Sequence, residues 1–98
     1  MAVTAGASEK EFQSLIVDYA ELKQWLTYHT HDSRRSAPGF PDLVLVRPPR
    51  LIFAEIKSAK GRVRPDQHIW LDTLSEVTNL EVFLWRPADW DAIQAVLA

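Results

Sequence analysis

The 98-residue chain contains no cysteine, which excludes a disulfide framework and any zinc–thiolate site. No apolar run approaches the length of a membrane span. Residues 1–8, Met-Ala-Val-Thr-Ala-Gly-Ala-Ser, lack both the basic start and the apolar stretch of a targeting segment. A soluble, intracellular (cytoplasmic) protein with no membrane partner is therefore expected. Internal repeats and low-complexity stretches are missing as well. The chain is too short for two cores, so residues 1–98 are expected to form one domain, with 1–7 as a flexible lead.

Hydrophobic residues make up 47% of the chain, enough for a core, and four tryptophans, Trp25, Trp70, Trp85 and Trp90, suit a core or an interface. The formal charge of −2 conceals a segregation. Residues 31–64 hold Arg34, Arg35, Arg47, Arg50, Lys57, Lys60, Arg62 and Arg64 against only Asp32, Asp42 and Glu55, a local excess of +5 that leaves −7 for the rest. A basic segment in a weakly acidic chain suits one face that meets phosphates. The alternative is a solvated surface with uneven charge.

Inside that basic segment lie the residues with chemistry. Gly39-Phe40-Pro41-Asp42 leads into the apolar run Leu43-Val44-Leu45-Val46, Pro48-Pro49 turns the chain, and residues 51–57 return as a second strand. Residues two apart on a strand share a face, so Glu55 stands beside Lys57 while Ile52, Ala54 and Ile56 point the other way. The hairpin can bring Asp42, at the mouth of the first strand, near Glu55. Acids gathered with a lysine at the end of an apolar strand are costly to bury unless a partner or metal compensates them. This combination suits metal-assisted nuclease chemistry.

The flanking elements follow from period and punctuation. Ser8 is a plausible N-cap with Glu9 and Glu11 in the first turn. Phe12, Leu15, Ile16, Tyr19, Leu22 and Leu26 then predict an amphipathic helix over about 9–26. Glu9 and Glu11 lie on opposite margins of its apolar face, so either could reach a site on the sheet. Residues 27–31 read as a first strand carrying His29 and His31 on one face. A transition-metal site there would have only His68 and no cysteine to complete it, and polar or nucleic-acid contacts are expected instead. Residues 32–39 form a polar loop with Arg34 and Arg35. Residues 58–64 form a basic loop with Lys60, Arg62 and Arg64. Pro65 opens a helix to about 77, with Gln67 in its first turn. Residues 80–85 read as a strand, Arg86-Pro87-Ala88-Asp89 as a break, and Trp90, Ile93, Val96 and Leu97 as a terminal helix. The order αβββαβα describes an α/β (α+β) fold, a mixed four-stranded sheet flanked by helices, with a parallel crossover through the second helix.

The series Ser8-Glu9-Lys10-Glu11-Phe12-Gln13, Gly39-Phe40-Pro41-Asp42, Glu55-Ile56-Lys57 and Pro65-Asp66-Gln67 resembles the VRR-NUC family of the PD-(D/E)XK nuclease superfamily, over about residues 8–87. The resemblance implies a restriction-endonuclease-like core and a divalent-metal phosphodiesterase. It further implies a structure-specific endonuclease acting as a homodimer on branched DNA such as Holliday junctions. By position, Asp42 and Glu55 would bind Mg²⁺ or Mn²⁺ with the Ile56 backbone carbonyl as a further ligand. Lys57 would orient or help deprotonate the attacking water and stabilise the transition state, and Gln67 would support the site. The spacing Glu9-x-x-x-Gln13 fits the family pattern better than Glu11, which makes Glu9 the preferred helix acid and a candidate further metal ligand. Lys60, Arg62, Arg64, Arg34, Arg35, His29 and His31 are the candidate DNA contacts. Two other functions fit the same residues: a nickase or repair nuclease acting on flaps or ends, and a non-catalytic nucleic-acid-binding module that depends on a partner.

Overall fold

Ser8 begins the first helix by a reciprocal cap: its Oγ accepts from the Glu11 backbone N–H at 3.1 Å, and the Glu11 side chain accepts from the Ser8 N–H at 3.0 Å. A computed structural model of the chain describes residues 5–30 and 37–98. The expectation of a flexible lead therefore falls in part on residues 1–4, outside the described residues.

Helix α1 spans Glu9–Leu22 and buries Phe12, Ile16 and Ala20, one residue per turn. It stops four residues short of the end that periodicity predicts. Gln24 takes a left-handed conformation (φ 69), and the Trp25 N–H bonds the Ala20 carbonyl while Gln24 bonds Glu21. This Schellman-type closure leaves Leu26 to begin a strand. Leu26, which looks like part of the helical stripe in the sequence, is 75% exposed.

Strands β1 (Leu26–His29), β2 (Leu43–Arg47), β3 (Arg50–Ile56) and β4 (Glu81–Trp85) form one sheet in the order β1-β2-β3-β4. The first three are antiparallel, and β4 lies parallel to β3 after the crossover through α2 (Pro65–Ser75). Pro48 and Pro49, joined by a cis peptide bond, make the tight β2–β3 turn. A 3-10 turn, Pro87–Asp89, then leads into α3 (Trp90–Leu97). The sequence-based order thus holds with that one turn added.

One face of the sheet presents Leu43, Leu45, Ile52, Ala54, Ile56 and Trp85 to the buried stripes of α1 and α3, including Ile93 and Leu97. Each large apolar side chain enclosed there contributes about 1.5–3 kcal/mol. The other face carries Phe53, which meets Phe40 edge-on at 6.1 Å; Phe40 in turn meets Trp70 of α2 at 5.1 Å. Apolar periodicity misjudges α2: its buried residue is Gln67, whereas Ile69 is 67% exposed. Among the described residues no helix is long and apolar enough to cross a membrane.

Candidate active site

The site forms where β2 and β3 run out of backbone pairing. Leu43, the first residue of β2, makes the terminal pair with Ala54 of β3, so Asp42 stands one step beyond, across from Glu55. Its side chain takes over the missing rung: Oδ2 accepts from the Ile56 backbone N–H at 2.8 Å. The main chain of Asp42 is held from the other side by the Thr30 N–H at 3.0 Å, and Thr30 Oγ1 donates to the Pro41 carbonyl at 3.2 Å. Asp42 is therefore clamped between β1 and β3.

Glu55 and Lys57 share a face, as strand periodicity requires, and both are buried, at 1% and 5% exposure. Lys57 Nζ lies 3.8 Å from Glu55 Oε2. The same oxygen accepts from Gln67 Nε2 at 2.9 Å, while Gln67 Oε1 accepts from the Arg64 N–H at 2.9 Å. A glutamine that taken alone suits the surface is thus a buried link between the start of α2 and the acid on β3.

Glu55 Oε1 is buried with no hydrogen-bond partner. Its carboxyl is pushed up to about 8: burial is the largest cause, the neighbouring Asp42 carboxyl adds to it, Lys57 opposes, and the charge of Glu9 adds a little more. Two carboxyls that feel each other this strongly are most easily accommodated while one of them carries a proton. With both ionised, like charges adjoin and Oε1 has no donor. A hard dication fits this need, since it takes oxygen ligands and commonly binds through one or two carboxylates plus waters and substrate phosphate. Among the described residues no group of three His, Cys, Asp or Glu side chains gathers to hold a metal.

The two helix acids separate. Glu11 is engaged in the cap with Ser8, which holds its carboxyl below the usual range. Glu9 is exposed, with its charge felt at Glu55. Lys60, Arg62 and Arg64 are exposed on the loop between β3 and α2, Arg64 in an ion pair with Asp66 at 3.3 Å. His29 is half-buried in β1. His31, Arg34 and Arg35 lie outside the described residues. Two cations of the basic segment face elsewhere. Arg47 and Arg50 lie over the Trp25 ring at 4.5 and 5.1 Å, and Arg50 pairs with Glu81 at 2.7 Å.

The sequence hides the role of Gly39. Its φ is +85, and a Cβ there would overlap the Asp66 carbonyl oxygen and come within 2.8 Å of the Gln67 nitrogen. The loop that carries Asp42 thereby rests on the start of the helix that carries Gln67. Trp70 Nε1, donating to the Pro38 carbonyl at 3.1 Å, and the Phe40–Trp70 contact complete that seam. The glycine before Phe-Pro-Asp is the only sequence signal of it.

The family model described as the VRR-NUC domain matches residues 3–86. The match takes in both helix acids, the Gly39–Asp42 loop, Glu55, Lys57 and Gln67. A comparison with curated proteins finds no match.

Proposed function

Since the chain belongs to the VRR-NUC family and carries a nuclease-type domain of PD-(D/E)XK-like fold, we propose that it is a divalent-metal-dependent, structure-specific DNA endonuclease. The observation that carries this reading is the unpartnered, buried Oε1 of Glu55, a carboxyl that feels the charge of Asp42, beside a similarly buried Lys57. Such a group is expensive to keep in a domain with no use for it.

Asp42 and Glu55 would hold Mg²⁺ or Mn²⁺, with the Ile56 carbonyl as a further ligand and Glu9 at the margin. The ion would supply an acidified water and charge neutralisation at the scissile phosphate. Gln67 Nε2 fixes Glu55 by one oxygen and leaves the other without a hydrogen-bond partner. Asp42 is held in register by the Ile56 N–H. Lys57, on the same strand face as Glu55, stabilises negative charge that develops on the phosphate oxygens and orients the attacking water. Lys60, Arg62 and Arg64 carry the DNA backbone across this mouth, a sequence-independent grip that suits recognition of shape.

Branched DNA, Holliday junctions in particular, is the proposed substrate, cut by a homodimer whose two sites address two strands. Leu26 and Tyr28 of the edge strand β1 and Leu22 at the end of α1 are exposed and would supply apolar surface for such pairing. The test incubates wild type and Lys57→Ala with labelled four-way junction, flap and linear duplex in EDTA, Mg²⁺ or Mn²⁺. The expected result is metal-dependent, paired incision of the junction by wild type alone. Cleavage that survives Lys57→Ala overturns the role of Lys57, and binding without cleavage in any metal overturns the enzyme.

A further inference from the structure

Arg86 follows β4 directly and is half-buried, yet its guanidinium meets no carboxylate among its described contacts. Nη1 instead donates to the carbonyls of Ser58 and Gly61, each at 2.8 Å, with the Ala59 carbonyl at 3.5 Å. Its own backbone N–H is held by Asp89 Oδ2 at 2.8 Å, which anchors the root of the side chain. Three carbonyls of one short loop converge on one cation.

That loop begins at the residue after Lys57 and folds back over it. The Gly61 N–H closes onto the Ser58 carbonyl at 3.2 Å. A Cβ on Gly61 would lie 3.4 Å from Lys57 Cδ and 3.0 Å from Ser58 Oγ, so the glycine lies against the methylene stem of the lysine. Lys57 is also tied at its backbone, where its N–H donates to the carbonyl of Trp85 at 3.0 Å, the residue just before Arg86. With the loop's carbonyls drawn inward, Lys60 and Arg62 remain exposed on its outer side.

We propose that Arg86 is a positioning residue: it clamps the Ser58–Gly61 loop over the stem of Lys57 and keeps the ammonium beside Glu55 and out of solvent. A guanidinium suits this task because it is always charged and carries several donors in a rigid fork, whereas a neutral side chain leaves the converging carbonyls without a donor. With the clamp gone, the loop opens, and Lys57 gains the freedom of an exposed lysine. The catalytic consequence rests on the role given to Lys57 above; the clamp itself does not.

The test has two arms. In the first, metal-free protein is acetylated with N-hydroxysuccinimidyl acetate and each lysine is followed by mass spectrometry, with exposed Lys60 as internal standard. Wild-type Lys57 is expected to react far more slowly than Lys60, and Arg86→Gln to speed Lys57 on the order of tenfold, as loss of charge-assisted hydrogen bonds implies. In the second arm, Arg86→Gln lowers kcat by about a hundredfold, the scale of a small misplacement of a catalytic group, with KM little changed, whereas Arg62→Ala raises KM. Unchanged Lys57 labelling in folded Arg86→Gln overturns the clamp. Faster labelling with unaltered kcat overturns its catalytic consequence. Should Arg86→Gln fail to fold, Arg86→Lys, which keeps the charge without the fork, is held to the same labelling criterion. A wild type that cuts nothing sinks the nuclease reading, and the labelling arm still decides the clamp.

Discussion

Gln67 Nε2 donates to Glu55 Oε2 at 2.9 Å while Gln67 Oε1 accepts the Arg64 N–H at 2.9 Å. One buried side chain thus caps α2 and orients an acid on β3. The helix start and the site acid are therefore coupled, and damage to one is felt by the other.

Replacing Gln67 by alanine removes both bonds at once. Loss of a buried donor to a carboxylate costs about 1–3 kcal/mol, and urea denaturation of the variant should show a loss of that order. Cleavage should fall in parallel, because Glu55 is no longer oriented. Full activity in a destabilised Gln67→Ala would separate the two roles and confine the glutamine to capping.

The Glu55 carboxyl, raised from an ordinary value near 4.5 to about 8, makes the metal-free protein pH-sensitive. The folded state holds a proton that the unfolded chain releases earlier. This stabilisation is complete below about 4.5 and is lost as pH rises through about 8. Thermal melts in EDTA should therefore drop across that window, and Glu55→Gln should flatten the curve. Saturating Mg²⁺ should restore stability at the alkaline end if, as proposed, the ion binds the ionised pair. A wild-type melt that is level from pH 5 to 8 in EDTA contradicts the assignment.

Gly39→Ala should separate the Asp42 loop from the first turn of α2, because a Cβ meets backbone there and the φ of +85 is unfavourable for alanine. A loss of about 2–4 kcal/mol is expected from strain and overlap together. Tryptophan fluorescence should report it through Trp70, which bonds the Pro38 carbonyl.

Arg47 and Arg62 should behave in opposite ways. Arg47 donates to the carbonyls of Lys23 at 2.9 Å and Ala98 at 3.0 Å and stacks over Trp25. Arg47→Ala should thus cost about 1.5–3 kcal/mol of stability and leave DNA affinity of the folded protein unchanged. Exposed Arg62 is expected to do the reverse: its removal lowers the salt dependence of DNA binding by about one counterion's worth. Fluorescence anisotropy across a salt series, alongside denaturation, checks both.

Much of the fold was legible because it depends on near neighbours. Strand period puts Glu55 and Lys57 on one face, Pro48-Pro49 turns β2 into β3, and Ser8 and Pro65 mark helix starts; each is a local steric or hydrogen-bonding preference. Where a local pattern had two readings, the sequence misled. Leu26 extends the apolar spacing of α1, but left-handed Gln24 ends the helix first, and the leucine becomes an exposed strand residue. In α2, apolar spacing points to Ile69 and neighbouring residues, whereas the buried position belongs to Gln67.

The sequence by itself determined the family and the order of elements and grouped Asp42, Glu55 and Lys57, because those rest on residue identity and short-range periodicity, while Gln67 followed only from the family resemblance. Only the tertiary structure decided how these groups are compensated. The orphaned oxygen of Glu55, the engagement of Glu11 by Ser8, the packing of Arg47 and Arg50 on Trp25, and the hold of Arg86 on the Lys57 loop join residues from separate elements. Burial and charge coupling act through space, and no spacing along a chain encodes them.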